Sequence, residues 1–228
     1  MINLSKRLQA IHDLVDKGNI VADIGSDHGL LACSLIASKT APYVYACDVA
    51  KGPLAHAQST ITAYAMEAQI QPVLSDGLNQ LDEAIDTLVI AGMGSDTILH
   101  ILDADYQKVC KCKYLIIQSN THVDDIRRWI SNHHLQIVDE IMVEETHFYQ
   151  IIKVKIEETD SLSEEEILFG TKIHDKQIFL AYWNFRLNNL NHILDQTTSI
   201  HRCYQENIIL RQQIIKKIAS LTKKSRGH

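Results

Sequence analysis

The chain has 228 residues, 46% of them hydrophobic, and a formal net charge of −6. This suits one large domain, or a domain of about 150 residues with an appendage. No apolar run reaches the roughly 18 residues that a membrane-spanning helix needs, and the charged start Met-Ile-Asn-Leu-Ser-Lys-Arg has no apolar segment behind it to make a secretory signal. The five cysteines, Cys33, Cys47, Cys110, Cys112 and Cys203, are an odd number in a chain without such a signal, so free thiols and a cytoplasmic location are expected. Cys110-x-Cys112 lacks the spacing of metal ligands, and no metal is expected. Charge is unevenly spread: residues 1–155 carry net −7, residues 156–169 net −6, and residues 170–228 net +7. A basic end on an acidic body suggests that this end meets a polyanion, against the alternative of a solvated helix face.

In chain order, Leu4, Leu8, Ile11, Leu14 and Val15 lie on one face of a predicted helix over 4–15, with Lys6 and Arg7 opposite and Gly18 closing it. Strands and helices then alternate. Strands are predicted at 20–24, 43–48, near 72–75, at 87–91 and at 114–118. Helices are predicted at 29–38, from Gly52-Pro53 to about Met66, from Asp96, and at 123–133. Runs at 135–144 and 148–156, joined by Glu145-Thr146-His147, read as an antiparallel hairpin. Such alternation favours a doubly wound parallel sheet, here with the hairpin at its edge. Residues 157–166 form an acidic linker in which Ser163 and Glu166 fit a capping box. Beyond it Leu180, Trp183, Leu187, Leu190 and Leu194 step by three and four. Ile200, Cys203, Asn207, Leu210, Ile214 and Leu221 continue that spacing after a break at 196–199. This predicts an antiparallel, coiled-coil-like helical hairpin with Asn207 in the seam and a frayed tail. The expected organisation is a domain over 1–158 and a helical domain over 159–228.

The informative stretch is Val21-Ala-Asp-Ile-Gly-Ser-Asp-His-Gly29. A buried strand enters a helix through a glycine turn, where backbone N–H groups can meet a ligand. Asp27 stands where a dinucleotide-binding turn has its middle glycine. A carboxylate there repels a pyrophosphate and suits a cationic sulfonium, and Asp23 adds to that preference. The loop resembles the S-adenosylmethionine (SAM) site of class I methyltransferases, which have a Rossmann-like α/β sheet ending in an antiparallel hairpin.

Ligands of open α/β sheets bind at the carboxyl ends of the strands. Those ends carry Asp23, Gly25, Ser26 and His28 after the first strand and Asp48 with Val49 after the second. Asp76-Gly77 follows the third strand, Ala91-Gly92-Met93 the fourth, and Gln118-Ser-Asn120 the fifth. Asp48 suits the two hydroxyls of a ribose, and Asp76 suits an adenine amino group. Each cluster alone is an ordinary turn or helix cap; their joint order is what a nucleoside site needs.

Asp23-Ile-Gly-Ser-Asp-His28, Asp76-Gly77-Leu78, Ile90-Ala-Gly-Met-Gly94, Gln118-x-Asn120-x-His122 and Leu4-Ser-Lys-Arg-Leu8 together resemble the TrmK family over the whole chain. Its members are bacterial tRNA (adenine-N1)-methyltransferases acting at position 22. The chain departs from that pattern at Ser95, Ser119, Gly29-Leu-Leu-Ala32 and Asp48, which touches loop shape more than reaction class. The resemblance implies SAM as cofactor and tRNA as partner, with Asp27 and Asn120 as catalytic candidates. Lys6, Arg7, Lys172, Lys176, Arg186, Arg202, Arg211, Lys216 and Lys217 are the candidate tRNA contacts; a monomer is favoured over pairing of copies through the helical hairpin, and the sequence leaves both open. The rival readings are a methyltransferase acting on adenine N6, another base or a small molecule, and an inactive RNA-binding protein.

Overall fold

The computed structural model describes residues 2–81, 84–196 and 202–223, without the side chain of Arg202. Two compact units result, Met1–His174 and Asp175–His228. The first is built on one seven-stranded sheet of order β3-β2-β1-β4-β5-β7-β6. Its parallel strands are β1 (Val21–Ile24), β2 (Val44–Asp48), β3 (Ile70–Leu74), β4 (Thr87–Met93) and β5 (Tyr114–Ser119). The antiparallel pair β6 (Leu135–Glu144) and β7 (Phe148–Glu158) closes one edge through β5. The helices of this unit are α1 (Lys6–Leu14), α2 (Leu30–Ala37), α3 (Lys51–Ala63), α4 (Ser95–Ala104), the single turn α5 (Tyr106–Val109), α6 (Val123–Asn132) and α7 (Glu164–Phe169).

The central strands are apolar at nearly every position because both faces are covered. Ala22, Ile24, Leu88, Ile90, Leu115 and Ile117 face Ile98, Leu102, Ile126 and Ile130 of α4 and α6. The alternate residues Val21, Val44, Val89 and Ile116 face Ile11 and Leu14 of α1 and Leu31 and Leu35 of α2. Strand order reverses between β1 and β4, so the crevice of the fold opens at the carboxyl ends of those two strands.

Three elements differ from the sequence expectation. Helix α3 stops at Ala63 rather than near Met66, because Ala65 takes a left-handed φ of 53° and the Met66 amide turns back to the Ile61 carbonyl. Strand β4 runs on to Met93 through a bulge at Gly92. The capping box forms in both directions, but the helix it starts, α7, belongs to the first unit, so that unit extends past 158 to His174. The cause is a buried ion pair. Arg127 Nε meets Glu140 Oε1 at 2.6 Å, both side chains nearly inaccessible. Arg127 also donates to the Ile167 carbonyl and to Gln150, and Glu140 accepts the hydroxyl of Thr171 at 2.8 Å. A buried pair of this kind persists only when its remaining hydrogen-bonding groups are met, and the chain beyond 158 supplies three of the partners, the Ile167 carbonyl and the amide and hydroxyl of Thr171.

The second unit is the antiparallel pair α8 (Lys176–Gln196) and α9 (Arg202–Lys223). Trp183 and Leu190 of the predicted seam are buried, as is Ile214, while Phe179 joins them and Cys203 is exposed. Tyr204, one residue on, is half-buried. Of the expected break at 196–199, Gln196 still belongs to α8, while 197–199, Ile200 of the predicted seam and the tail 224–228 lie outside the described residues. No disulfide links the described cysteines, and burial pushes the Cys47 thiol up to about 12. Among the described residues no helix is long and apolar enough to cross a membrane.

Candidate active site at the strand-order switch

The β1–α2 loop is held by its neighbour strand: the amides of Gly25 and Ser26 both donate to the Cys47 carbonyl at 2.9 Å. Gly25 sits at φ 80°, a conformation that favours glycine, and a Cβ there would push aside the flexible Met93 methyl. A cavity of about 130 Å³ opens over this loop, lined by Arg7, Asp23, Ser26, Asp27, His28 and Ala91 among others. Asp23 is 5% exposed, and burial pushes its carboxyl up to about 6. The Ser26 hydroxyl and the Arg7 guanidinium act in the opposite sense, and the Asp48 charge adds to the rise. Ser26 Oγ is buried and, among the described residues, has no hydrogen-bond partner of ordinary geometry. A buried hydroxyl whose neighbour is the Asp23 carboxyl, out of ordinary hydrogen-bond geometry, and a buried carboxylate in no ion pair among the described residues are groups that a polar, cationic ligand satisfies.

At the end of β2, Asp48 Oδ1 accepts the Ala50 amide at 2.9 Å. One oxygen thus shapes the entry to α3, and the second is left for a ligand. Val49 is 67% exposed and Leu74, level with Asp48 in the β2–β3 register, is 44% exposed. Two apolar side chains left in solvent beside a polar cleft suit the faces of a flat ring. Leu74 was not among the sequence candidates, since an apolar strand residue reads as core. Asp76 is exposed beyond β3, and buried Ser75 donates to the Gly77 carbonyl at 2.9 Å to hold that turn.

Across the switch point a closed polar ring joins β4 and β5. Gly92 N donates to Gln118 Oε1 at 3.1 Å, Gln118 Nε2 donates to Asn120 Oδ1 at 3.0 Å, and Asn120 Nδ2 donates to the Gly92 carbonyl at 2.8 Å. Arg7 NH1 adds a 2.7 Å bond to Gln118 Oε1, and the guanidinium carbon Cζ lies 5.5 Å from the Tyr149 ring centre. Gln118 is wholly buried and Asn120 exposed. On the other side Asp27 and His28 are exposed, His28 Nε2 lies 3.4 Å from Asp27 Oδ2, and His28 stacks on His56 at 5.6 Å. These three side chains bring one ligand-type atom each within 4.8 Å, all on the surface.

The basic candidates are less free than their charge suggests. Arg7 points inward, not to solvent, because Gln118 and Tyr149 receive it; Lys6 Nζ donates to the Glu144 carbonyl at 3.2 Å. Lys172 donates to the Val138 carbonyl within the first unit. In the second unit Lys176 reaches the Leu221 carbonyl, Arg211 reaches Asn191, and Arg186 stacks near Tyr182 and Trp183. Lys216 is exposed and Lys217 half-buried, while the side chain of Arg202 lies outside the described residues.

A parallel sheet ending in an antiparallel pair, with a glycine cradle and acidic strand ends at its switch point, defines a class I SAM-dependent methyltransferase. Residues 4–152 match the family described as a methyltransferase domain. The tRNA (adenine(22)-N(1))-methyltransferase of Bacillus subtilis is 30% identical over 204 residues, covering 86% of each chain. TrmK of M. capricolum, solved with S-adenosyl-homocysteine, is 33% identical with a TM-score of 0.86, over 95% of this chain and 98% of that one. A Streptococcus pneumoniae protein solved with S-adenosyl-L-methionine is 29% identical with a TM-score of 0.87, over 95% of this chain and all of that one. The chain belongs to the TrmK family.

Proposed function

We propose that the protein transfers a methyl group from SAM to N1 of adenine 22 in tRNA, working in the cytoplasm. The observation that carries this reading is the pairing of buried polar groups at Asp23 and Ser26 with the amide ring at Asn120, on opposite sides of one switch point. The first side would hold a cationic nucleoside cofactor, with Gly25 and Ser26 as its floor, Asp48 available to the ribose, and Val49, Leu74 and Asp76 available to the base. Gly77, Ala91, Gly92 and Met93 shape the adjoining turns, and His28 closes the loop. Bound there, the cofactor supplies an electrophilic methyl group. The second side receives the target adenine.

Adenine N1 attacks through an in-plane lone pair, so no base is needed beforehand and positioning does most of the work. Asn120 keeps one lone pair and one N–H beyond its ring bonds, which suits a hydrogen bond to the adenine edge. The exposed Asp27 carboxylate stabilises the cationic ring that forms and can take its N6 proton. N1 lies on the Watson–Crick edge, so the base is presented unpaired or flipped. The decisive experiment is incubation of full-length protein with SAM and a tRNA transcript bearing adenine or guanine at position 22, followed by nucleoside analysis. N1-methyladenosine from the first transcript alone is expected; N6-methyladenosine, or no product, would overturn the reading. Asp27→Ala and Asn120→Ala are each expected to slow single-turnover methylation by about 10²-fold while SAM affinity changes much less.

A further inference from the structure

We propose that Arg7 is a positioning residue which, through Gln118, sets which way round the Asn120 side-chain amide is held; this rests on the reading of Asn120 as the adenine contact. A carboxamide can be turned by 180° with little change of shape, and only its partners decide which end donates. Here every partner is of one kind. Arg7 NH1 and Gly92 N–H are donors only, and both bond Gln118 Oε1. That leaves Gln118 Nε2 to donate, so Asn120 must present Oδ1 to it. At the other end the Gly92 carbonyl, an acceptor only, requires Asn120 Nδ2. The ring therefore closes in a single sense. Its remaining groups, one Oδ1 lone pair and one Nδ2 proton, stand in a fixed order.

That order has a chemical use. Adenine offers an N6–H donor and an N7 acceptor on its Hoogsteen edge, the pair that an asparagine amide reads, and this leaves N1 open to the methyl group. The approach of Arg7 is itself built in. Gly92 stands at φ 82°, where a Cβ would come within 3.1 Å of Arg7 NH1, and the Tyr149 ring lies on the guanidinium at 5.5 Å. Gln118 is wholly buried at the end of an apolar strand, so its amide has no water to satisfy an alternative orientation.

The test uses full-length protein labelled with nitrogen-15. The Asn120 amide protons, assigned by their loss in Asn120→Asp, are expected to be well separated and slow to exchange. Gln118→Glu still accepts from Arg7 and Gly92 but cannot donate to Asn120; Arg7→Met removes the first donor. Both are expected to move the pair to free-amide positions. Both should slow single-turnover methylation about tenfold, and for Gln118→Glu SAM affinity, by calorimetry, should stay within about threefold. Gln118→Glu should cost nothing further in an Asn120→Ala background, and Arg7→Lys should restore part of the rate. An unmoved amide pair, or losses that add in the double variant, overturns the proposal. An ordered amide pair in a protein that binds SAM but methylates no adenine upholds the orientation and overturns the proposed function instead.

Discussion

Asp23 is the most strained single group of the site in electrostatic terms. Its folded carboxyl titrates near 6, above the usual 3.8, because burial disfavours its charge. Between those values the folded protein keeps a proton that the unfolded chain has lost, so this group lowers the stability of the free protein as pH rises through that window, and its cost is constant above it. A cationic ligand favours the ionised form, so the affinity for SAM should rise as pH rises through about 6. Calorimetry near pH 5 and near pH 7.5 is expected to differ by about tenfold, and Asp23→Asn should flatten the dependence and weaken binding at the higher pH. Asp48 belongs to the same scale. One of its oxygens is tied to the Ala50 amide, so only the other is available for the proposed ribose contact. Asp48→Ala should weaken SAM binding at least tenfold, about one charge-assisted hydrogen bond, with the fold intact by circular dichroism. Unchanged affinity removes Asp48 from that role.

Among the elements, the telling one is α7. Its capping box, Ser163 with Glu166, is local and readable from four residues. Its attachment is not local: Arg127 of α6, Glu140 of β6 and Gln150 of β7 meet the Ile167 carbonyl and Thr171 in a buried network. Glu140→Ala leaves the Arg127 guanidinium buried without its counter-charge and should destabilise the first unit by about 3–5 kcal/mol in urea unfolding. Replacing both, as in Arg127→Met with Glu140→Leu, should cost much less, since the penalty lies in the unpaired charge. A double variant no more stable than Glu140→Ala would show that the network, not the pair, carries the effect.

At the scale of the whole molecule, every strand-end residue of the site lies in the unit Met1–His174, while residues 170–228 carry net +7. A chain ending at His174 keeps the Arg127–Glu140 network closed, which one ending at 158 does not. It should bind SAM within about threefold of full length. It should lose most tRNA affinity and show a salt dependence shallower by about one unit for each phosphate it no longer neutralises. Equal tRNA affinity at low salt would mean that the basic charge of α8 and α9 is a solvated face, or serves pairing between copies.

Strand and helix identity, the strand ends that meet at the switch point and the glycine turn after β1 were legible in the chain, because they depend on period, apolar content and turn chemistry within a few residues. Val21 to Ile24 reads as a doubly covered strand, and Gly25 marks the turn after it. The direction of Arg7 was not legible. On α1 it lies opposite the apolar stripe and reads as a surface cation; only the tertiary arrangement brings Gln118 and Tyr149 under it. Leu74 was missed for the converse reason, an apolar strand residue left in solvent by the edge of a cleft. The extent of the first unit escaped for the same cause as Arg7: partners up to 40 residues apart in sequence meet at one buried charge. Local chemistry determines the elements, whereas the partner of a charged or amide group is chosen by the fold, since long-range pairings leave no periodic trace in the chain.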